Sequence, residues 1–288
     1  GMVLSMALSA ADRDDGYGLM CMATPLSDVV EIDYGTLDAK PRLFPPRTGV
    51  PHLVVDRIDR TPRMLELRLR PLGDPLRYWP GQYVMLGDDP NGVPKRCYSL
   101  ASAPRPDGEL VLLVTRVAGG AASNWIHDQV GLGDQVLVDG AYGAFIGDPA
   151  TDTPVVCLAA GSGLAPIMSL SDAALRRGFP HPVTLVVSSR STEDDVAIGL
   201  MRWWEKVHPN FRLIVTHTRV TGGSEPGTHH QRIPDLLEPL FDSLANTSVF
   251  VAGSPEFVDD CVAQAKALGA TDDLIHTEGH NSQLTPTP

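Results

Sequence analysis

Short apolar runs rich in Val, Leu and Ile occupy 52–59, 64–69, 82–86, 109–115 and 135–139, with Pro, Gly and Asp between them. Strands this short and this closely spaced predict a small antiparallel barrel. One helical stretch, 123–130, interrupts them. After about Thr153 the pattern changes. Apolar runs at 154–160, 184–188, 212–216 and 248–252 alternate with helical segments that begin at Leu164 or cover 193–207, 232–240 and 255–268. Such alternation predicts a parallel sheet with helices on both faces. Ahead of both lies 34–51, where Pro41, Pro45, Pro46, Gly49 and Pro51 crowd together and predict a linker. The expected class is therefore β plus α/β: an antiparallel barrel over 52–150, then a parallel-sheet domain over 151–288.

Composition narrows the functions. A chain of 288 residues, 43% hydrophobic and 20% charged, has material for two cores and is unlike a disordered segment. A net charge of −12 argues against nucleic acid, whose binding relies on Lys and Arg neutralising phosphates. Arg60, Arg63, Arg68 and Arg70 form a local basic face that would suit an acidic partner, although a solvated strand face is the simpler reading. No apolar run reaches the about 18 residues of a membrane span, so no membrane partner is expected. The stretch 2–10 lacks the basic region of a secretion signal. The four cysteines, at 21, 97, 157 and 261, share no CxxC spacing. Neither a metal site nor a disulfide framework is expected, and a reducing cytoplasm is the default location.

Candidate chemistry sits in two places. Arg96-Cys97-Tyr98-Ser99 offers a cation, an aromatic face and a hydroxyl at the end of a strand-like stretch. Alternate strand residues share a side, so Arg96 and Tyr98 lie together. Tyr98 could then stack on a flavin ring, Arg96 pair with its phosphate, and Ser99 approach the ring nitrogen that receives hydride. Gly119, Gly120, Ala122 and Ser123, opening the first helix, add close backbone approach and phosphate donors. Gly161-Ser162-Gly163-Leu164-Ala165-Pro166 opens the next helix directly after an apolar run, which suggests a nicotinamide dinucleotide.

These motifs, with Ala252-Gly253-Ser254-Pro255-Glu256-Phe257 near the end, occur in an order and at intervals that resemble the ferredoxin–NADP reductase family over about residues 50–280. The likeness is greatest to the flavoprotein reductases that feed bacterial oxygenases. It implies FAD rather than FMN, with NADH or NADPH as hydride donor. It also implies that Gly161, Gly163 and Pro166 face the nicotinamide dinucleotide, with Gly253 and Pro255 in the fourth motif. Residues after the second strand of the nucleotide domain meet the adenosine ribose in this family. Ser189 and Arg190, with Arg219 after the third strand, therefore lean towards NADPH. Two departures stand out. The fourth motif begins with Ala252 where the family has Cys. The family's terminal Glu-x-aromatic becomes Glu278-Gly279-His280. Glu278 is a candidate proton carrier or a surface residue.

The segment around Cys21 resembles the end of a plant-type [2Fe–2S] ferredoxin domain, with Cys21 as the last ligand. A cluster needs four thiolates, and no cysteine precedes Cys21. No cluster is expected from this chain alone. Residues 1–33 read either as part of a longer three-part protein or as a relic packed on the barrel. The functional expectation is an FAD-dependent NAD(P)H oxidoreductase that passes electrons to a separate ferredoxin or to a Rieske- or P450-type oxygenase, with Ser99 and Glu278 as catalytic residues. The alternative is a flavin- and nucleotide-binding electron-transfer subunit with little turnover of its own.

Overall fold

The computed structural model describes residues 43–148, 150–219 and 228–280. The ferredoxin-like segment and Cys21 lie outside the described residues. Two six-stranded sheets carry the architecture.

The first is antiparallel and contains β1 (Arg47–Thr61), β2 (Met64–Pro71), β3 (Tyr83–Asp88), β4 (Val93–Ser99), β5 (Leu110–Thr115) and β6 (Gln135–Tyr142) in the order β4-β3-β6-β1-β2-β5. Its edges meet just past β4, where Leu100 bridges Leu112 and the Ala101 amide donates to the Val111 carbonyl at 2.8 Å. Alternate residues of each strand, among them Leu65, Leu67, Leu69, Val84, Leu86, Leu110, Leu112, Val136 and Val138, fill the interior. Helix α1 (Ala121–Asp128) seals one end with Ile126.

β1 begins at Arg47, so the barrel takes up the last five residues of the stretch expected as linker. Arg47 pairs with Gly140 and Val50 with Val138. Pro51 is tolerated because it lies just past the β1–β2 ladder, which begins at His52, and on that side only its carbonyl is used, accepting from the Leu72 amide at 3.0 Å.

The second sheet is parallel, ordered β10-β9-β8-β7-β11-β12, from β7 (Val155–Ala160), β8 (Val183–Ser189), β9 (Phe211–His217), β10 (Thr228–His229), β11 (Ser248–Gly253) and β12 (Ile275–Gly279). Its apolar residues divide by face. Cys157, Ala159, Leu185, Val187 and Phe250 pack with α2 (Leu164–Arg176) and α3 (Ile198–Val207). Val156, Leu158, Val186, Val249 and Val251 pack with α4 (Ile233–Leu240) and α5 (Pro255–Ala267). Helix α3 starts five residues later than its sequence pattern predicts. A short 3-10 turn at Thr192–Asp194 and a left-handed Ala197 (φ 56°) hold the chain out of the helix until Ile198.

Strand order reverses direction at β7, with β8 on one side and β11 on the other. Crevices at such switch points are where open α/β sheets bind ligands. Helix α2 runs from that point and braces the two sheets together. Ser169 Oγ donates to the Ser102 carbonyl at 2.7 Å, and Asp172 accepts from the Ala103 amide at 3.3 Å. Phe145, Met64 and Leu113 of the barrel share a core with Ala165 and Met168 of α2. Gln82, buried, ties two barrel segments: it accepts from the Trp79 amide and donates to the Gly143 carbonyl, both at 2.9 Å.

His52 gives the fold a pH dependence. It is fully buried; Nδ1 meets the Val50 carbonyl at 3.0 Å, while Nε2 has no partner. Burial pushes its pKa below 6.5. The unfolded chain therefore takes up a proton at a pH where the folded one does not, and stability falls as pH drops through 6.5 towards the folded value. The melting temperature should decline from pH 7.5 to pH 5, and His52→Gln should reduce that slope. A slope unchanged by the substitution would remove His52 from the account.

Candidate functional site

A cleft of about 800 Å³ lies between the barrel and the C-terminal ends of the parallel strands. Arg96, Cys97, Tyr98 and Ser99 of β4 form part of its barrel wall, with Tyr83 of the neighbouring strand. Gly161, Ser162, Leu164 and Ala165 face them from the switch point, with Glu278 and His280 beside them. Register explains part of the grouping: Tyr83 pairs with Ser99 and Val84 with Tyr98, so the motif lies along one edge of the sheet. Tyr98 leans on the barrel core, and burial raises its hydroxyl pKa against the opposing charge of Arg96. The Cys97 thiol is likewise pushed up, first by partial burial and then by the Glu278 carboxylate.

Two helix N-termini open onto the cleft without a side-chain cap. Helix α1 begins at Gly120, and Gly120, Ala121, Ala122 and Ser123 line the wall. Helix α2 follows a 3-10 turn, Gly161–Gly163, and also starts without a cap. Uncapped first-turn amides and the positive end of the helix dipole suit anions. Gly161 (φ +57°) has open space where a Cβ would stand. The Arg96 guanidinium and two bare helix starts around a single cleft make a donor set that fits two diphosphates, as an FAD and a nicotinamide dinucleotide require.

Some residues expected at the site serve the walls instead. Ser123 Oγ accepts from the Val117 amide (3.1 Å) and donates to the Gly120 carbonyl (3.2 Å), so its side chain holds the turn. Gly163 is buried against β11: a Cβ there would stand 2.1 Å from the Ala252 carbonyl oxygen. Pro166 is buried in the first turn of α2, where a missing N–H costs nothing. Gly119, Gly253 and Pro255 do not line the cleft; Ser254, between the last two, does, and its hydroxyl caps α5 at the Phe257 amide. Ala252, at the position where the family has Cys, is fully buried and pairs with Glu278.

The far end of the cleft carries mixed charge. Arg190 is exposed there, beside Asp194 and Asp195. Ser189 Oγ donates to Asp195 at 2.5 Å, and Asp195 also meets His217 Nε2 at 2.9 Å. The Ser189 hydroxyl, one of the groups that lean towards NADPH in the sequence, is thus engaged by a carboxylate. Arg219 is exposed, with its backbone amide on the Arg190 carbonyl. The basic strand face is paired as well. Glu66 holds Arg60 and Arg68, Glu109 holds Arg70, and Arg63 reaches Asp194 at 3.4 Å.

The β4 motif meets the end of the parallel sheet at Ser99, whose hydroxyl donates to Glu278 Oε2 at 3.5 Å. Two residues here escaped the sequence reading. Ser162 is one position within a turn motif, and Tyr83 opens a strand with nothing in the sequence to mark it as part of a site. Among the described residues no helix is long and apolar enough to cross a membrane, and no group of three or more His, Cys, Asp or Glu is placed to hold a metal.

Comparison with known proteins agrees with this two-walled arrangement. The oxidoreductase FAD-binding domain model matches residues 54–146, and the oxidoreductase NAD-binding domain model matches 157–263. The chain is 34% identical over 207 residues to the ferredoxin reductase component of 3-ketosteroid-9-alpha-monooxygenase from Mycolicibacterium smegmatis. That match spans 71% of this chain and 56% of that protein. It is 30% identical over 265 residues to DmpP, the reductase component of phenol 2-monooxygenase from a Pseudomonas species, covering 91% of this chain and 74% of that one. Among solved structures, the Amycolatopsis cytochrome P450 reductase GcoB superposes with a TM-score of 0.81 at 29% identity, over 97% of this chain and 83% of that chain.

Proposed function

The chain belongs to the ferredoxin–NADP reductase family, among the reductase components of oxygenase systems, and from that premise we propose that it moves hydride from a nicotinamide dinucleotide to FAD and hands the electrons to an iron–sulfur protein or an oxygenase. The observation that carries this is the cleft, in which the β4 motif and the start of α1 face the start of α2 and Glu278. FAD, when bound, accepts electrons as a hydride pair and releases them singly.

The residues divide that work. Arg96 and the first-turn amides of α1, from Gly120 and Ala122 to Ser123, hold the flavin diphosphate, with Gly119 shaping the turn before them. Tyr98 supports the flavin ring, and Ser99 places its hydroxyl beside the reacting face. Gly161, Gly163 and Pro166 shape the turn and helix start that receive the nicotinamide dinucleotide, with Gly253 and Pro255 supporting them from behind β11. Glu278, next to Ser99, is the proton carrier: its carboxylate takes up a proton and passes it on. In this reading 52–150 is the FAD-binding barrel, extended back to Arg47, and 151–288 is the NAD(P)H-binding domain; 1–33 is the remnant of a ferredoxin domain. The names of the relatives support a separate ferredoxin or a P450-type oxygenase as acceptor; a Rieske-type oxygenase is the other acceptor proposed.

Asp194 and Asp195 support NADH as the donor. Carboxylates at the adenosine end repel a 2′-phosphate and accept hydrogen bonds from ribose hydroxyls, and Arg190 offsets them only in part. NADH should exceed NADPH in kcat/KM by about tenfold or more; equal or faster turnover with NADPH would overturn this assignment. The wider reading is tested by loading the protein with FAD and following NADH-dependent reduction of a plant-type [2Fe–2S] ferredoxin. Steady reduction is expected. A protein that holds FAD but passes no electrons would favour the binding subunit with little turnover.

A further inference from the structure

His280 occupies a position that the flavin chemistry does not by itself explain. Its backbone amide donates to the Gly253 carbonyl at 2.7 Å, which extends the β11–β12 ladder one residue beyond Gly279. The ladder therefore fixes where the ring starts. Residues two apart on a strand share a face, which sets His280 beside Glu278. Nε2 lies 3.0 Å from Glu278 Oε2, and Nδ1 lies 3.0 Å from Ser162 Oγ. The same Glu278 oxygen receives Ser99 at 3.5 Å. Four side chains from three segments thus form one row, Ser99–Glu278–His280–Ser162, from the barrel to the turn that opens α2. Glu278 and His280 are only 17% and 21% exposed, so water competes weakly for these bonds.

We propose that His280 is a positioning residue for hydride transfer: it holds Glu278 towards Ser99 with one ring nitrogen and orients the hydroxyl of Ser162 towards the incoming nucleotide with the other.

The proton positions follow from the partners. A carboxylate oxygen only accepts, so the hydrogen sits on Nε2. In the neutral ring Nδ1 is then a bare acceptor, and Ser162 must donate to it. Ser162 consequently presents its lone pairs to the cleft, where they can receive the amide hydrogens of a nicotinamide carboxamide. The row couples the two walls: what orders Ser162 also orders the carboxylate next to Ser99. An aromatic ring at this position would cover more flavin surface but could hold neither partner.

The proposal rests on the reductase reading, and its test separates the two. Nitrogen-detected histidine spectra of the FAD-loaded protein, assigned with His280→Gln, should show His280 protonated at Nε2. The Nδ1 signal should shift in Ser162→Ala. A ring protonated at Nδ1, or a signal blind to Ser162→Ala, would overturn the row whether or not the protein turns over.

Rapid-mixing kinetics supply the second arm. His280→Ala and Ser162→Ala should each lower the limiting rate of flavin reduction by about tenfold, the share of one hydrogen bond to a charged or polar partner. His280→Gln, which can still donate to Glu278, should recover part of the loss. Ser162→Ala in the His280→Ala background should add no further decrease. Fully multiplicative losses, or effects on nucleotide affinity alone, would also overturn it. Absence of flavin reduction in the unaltered protein would count against the reductase reading, while the tautomer would still decide the row.

Discussion

Gly163→Ala should slow reduction of the bound flavin by about a hundredfold or more while FAD stays in place. Gly163 has ordinary helical dihedrals (φ −62°, ψ −13°), so the demand is for space and not for conformation. An added Cβ would stand 2.1 Å from the Ala252 carbonyl oxygen and 2.6 Å from the Gly253 amide nitrogen. Both are backbone atoms of a fully buried strand and cannot rotate away. The start of α2 has to retreat from β11, and the Gly161–Gly163 turn moves with it. Displacing a positioning element by about 1 Å costs on the order of 10²-fold in rate, because the reacting atoms leave near-attack geometry. FAD is gripped by the barrel, so its affinity should change little. Single-turnover flavin reduction and a flavin-to-protein ratio on the purified variant check both halves. Loss of FAD together with activity would mean that the barrel and the turn are not separable as described.

Arg96→Ala should do the reverse and deplete the flavin, weakening FAD binding by roughly 10- to 100-fold. Arg96 lines the cleft from β4, and its Nη1 donates to the Lys95 carbonyl at 3.0 Å, which leaves most of its donor fork for a ligand. A charge-assisted bond of this kind is worth about 1.5–3 kcal/mol. Neighbouring Lys95 does not substitute for it, because its ammonium is held by Asp139 at 2.5 Å. Fluorescence titration of the flavin-free variant with FAD measures the effect. Unaltered affinity would place the diphosphate elsewhere.

The residues also show what a sequence can reveal of such a molecule. Buried strands such as β5 and β7 are unbroken apolar runs with sharp limits, so both sheets were legible. β12 was not: Ile275-His276-Thr277-Glu278-Gly279 has neither period nor apolar run, and it is a strand only because β11 offers an edge. The start of β1 is hidden because proline usually breaks a strand, whereas Pro51 sits just past the end of the β1–β2 ladder, where only its carbonyl is bonded on that side. Arg96, Tyr98, Ser99 and Gly161 could be found because each belongs to a compact local motif. The link from Ser162 to His280 could not, since it joins positions far apart in the chain across a third strand. Ser189 misled for a related reason: its hydroxyl looked available until Asp195 folded back onto it.

The central claim is that one cleft brings a nicotinamide on the parallel sheet into reaction with a flavin on the barrel. Anaerobic single-turnover mixing of the FAD-loaded protein with NADH, beside NADH deuterated at the transferred position, tests it most directly. The account predicts rapid bleaching of the flavin band, slowed severalfold by deuterium. A flavin that stays oxidised, or bleaches with no isotope effect at saturating nucleotide in the fastest observable phase, would contradict it.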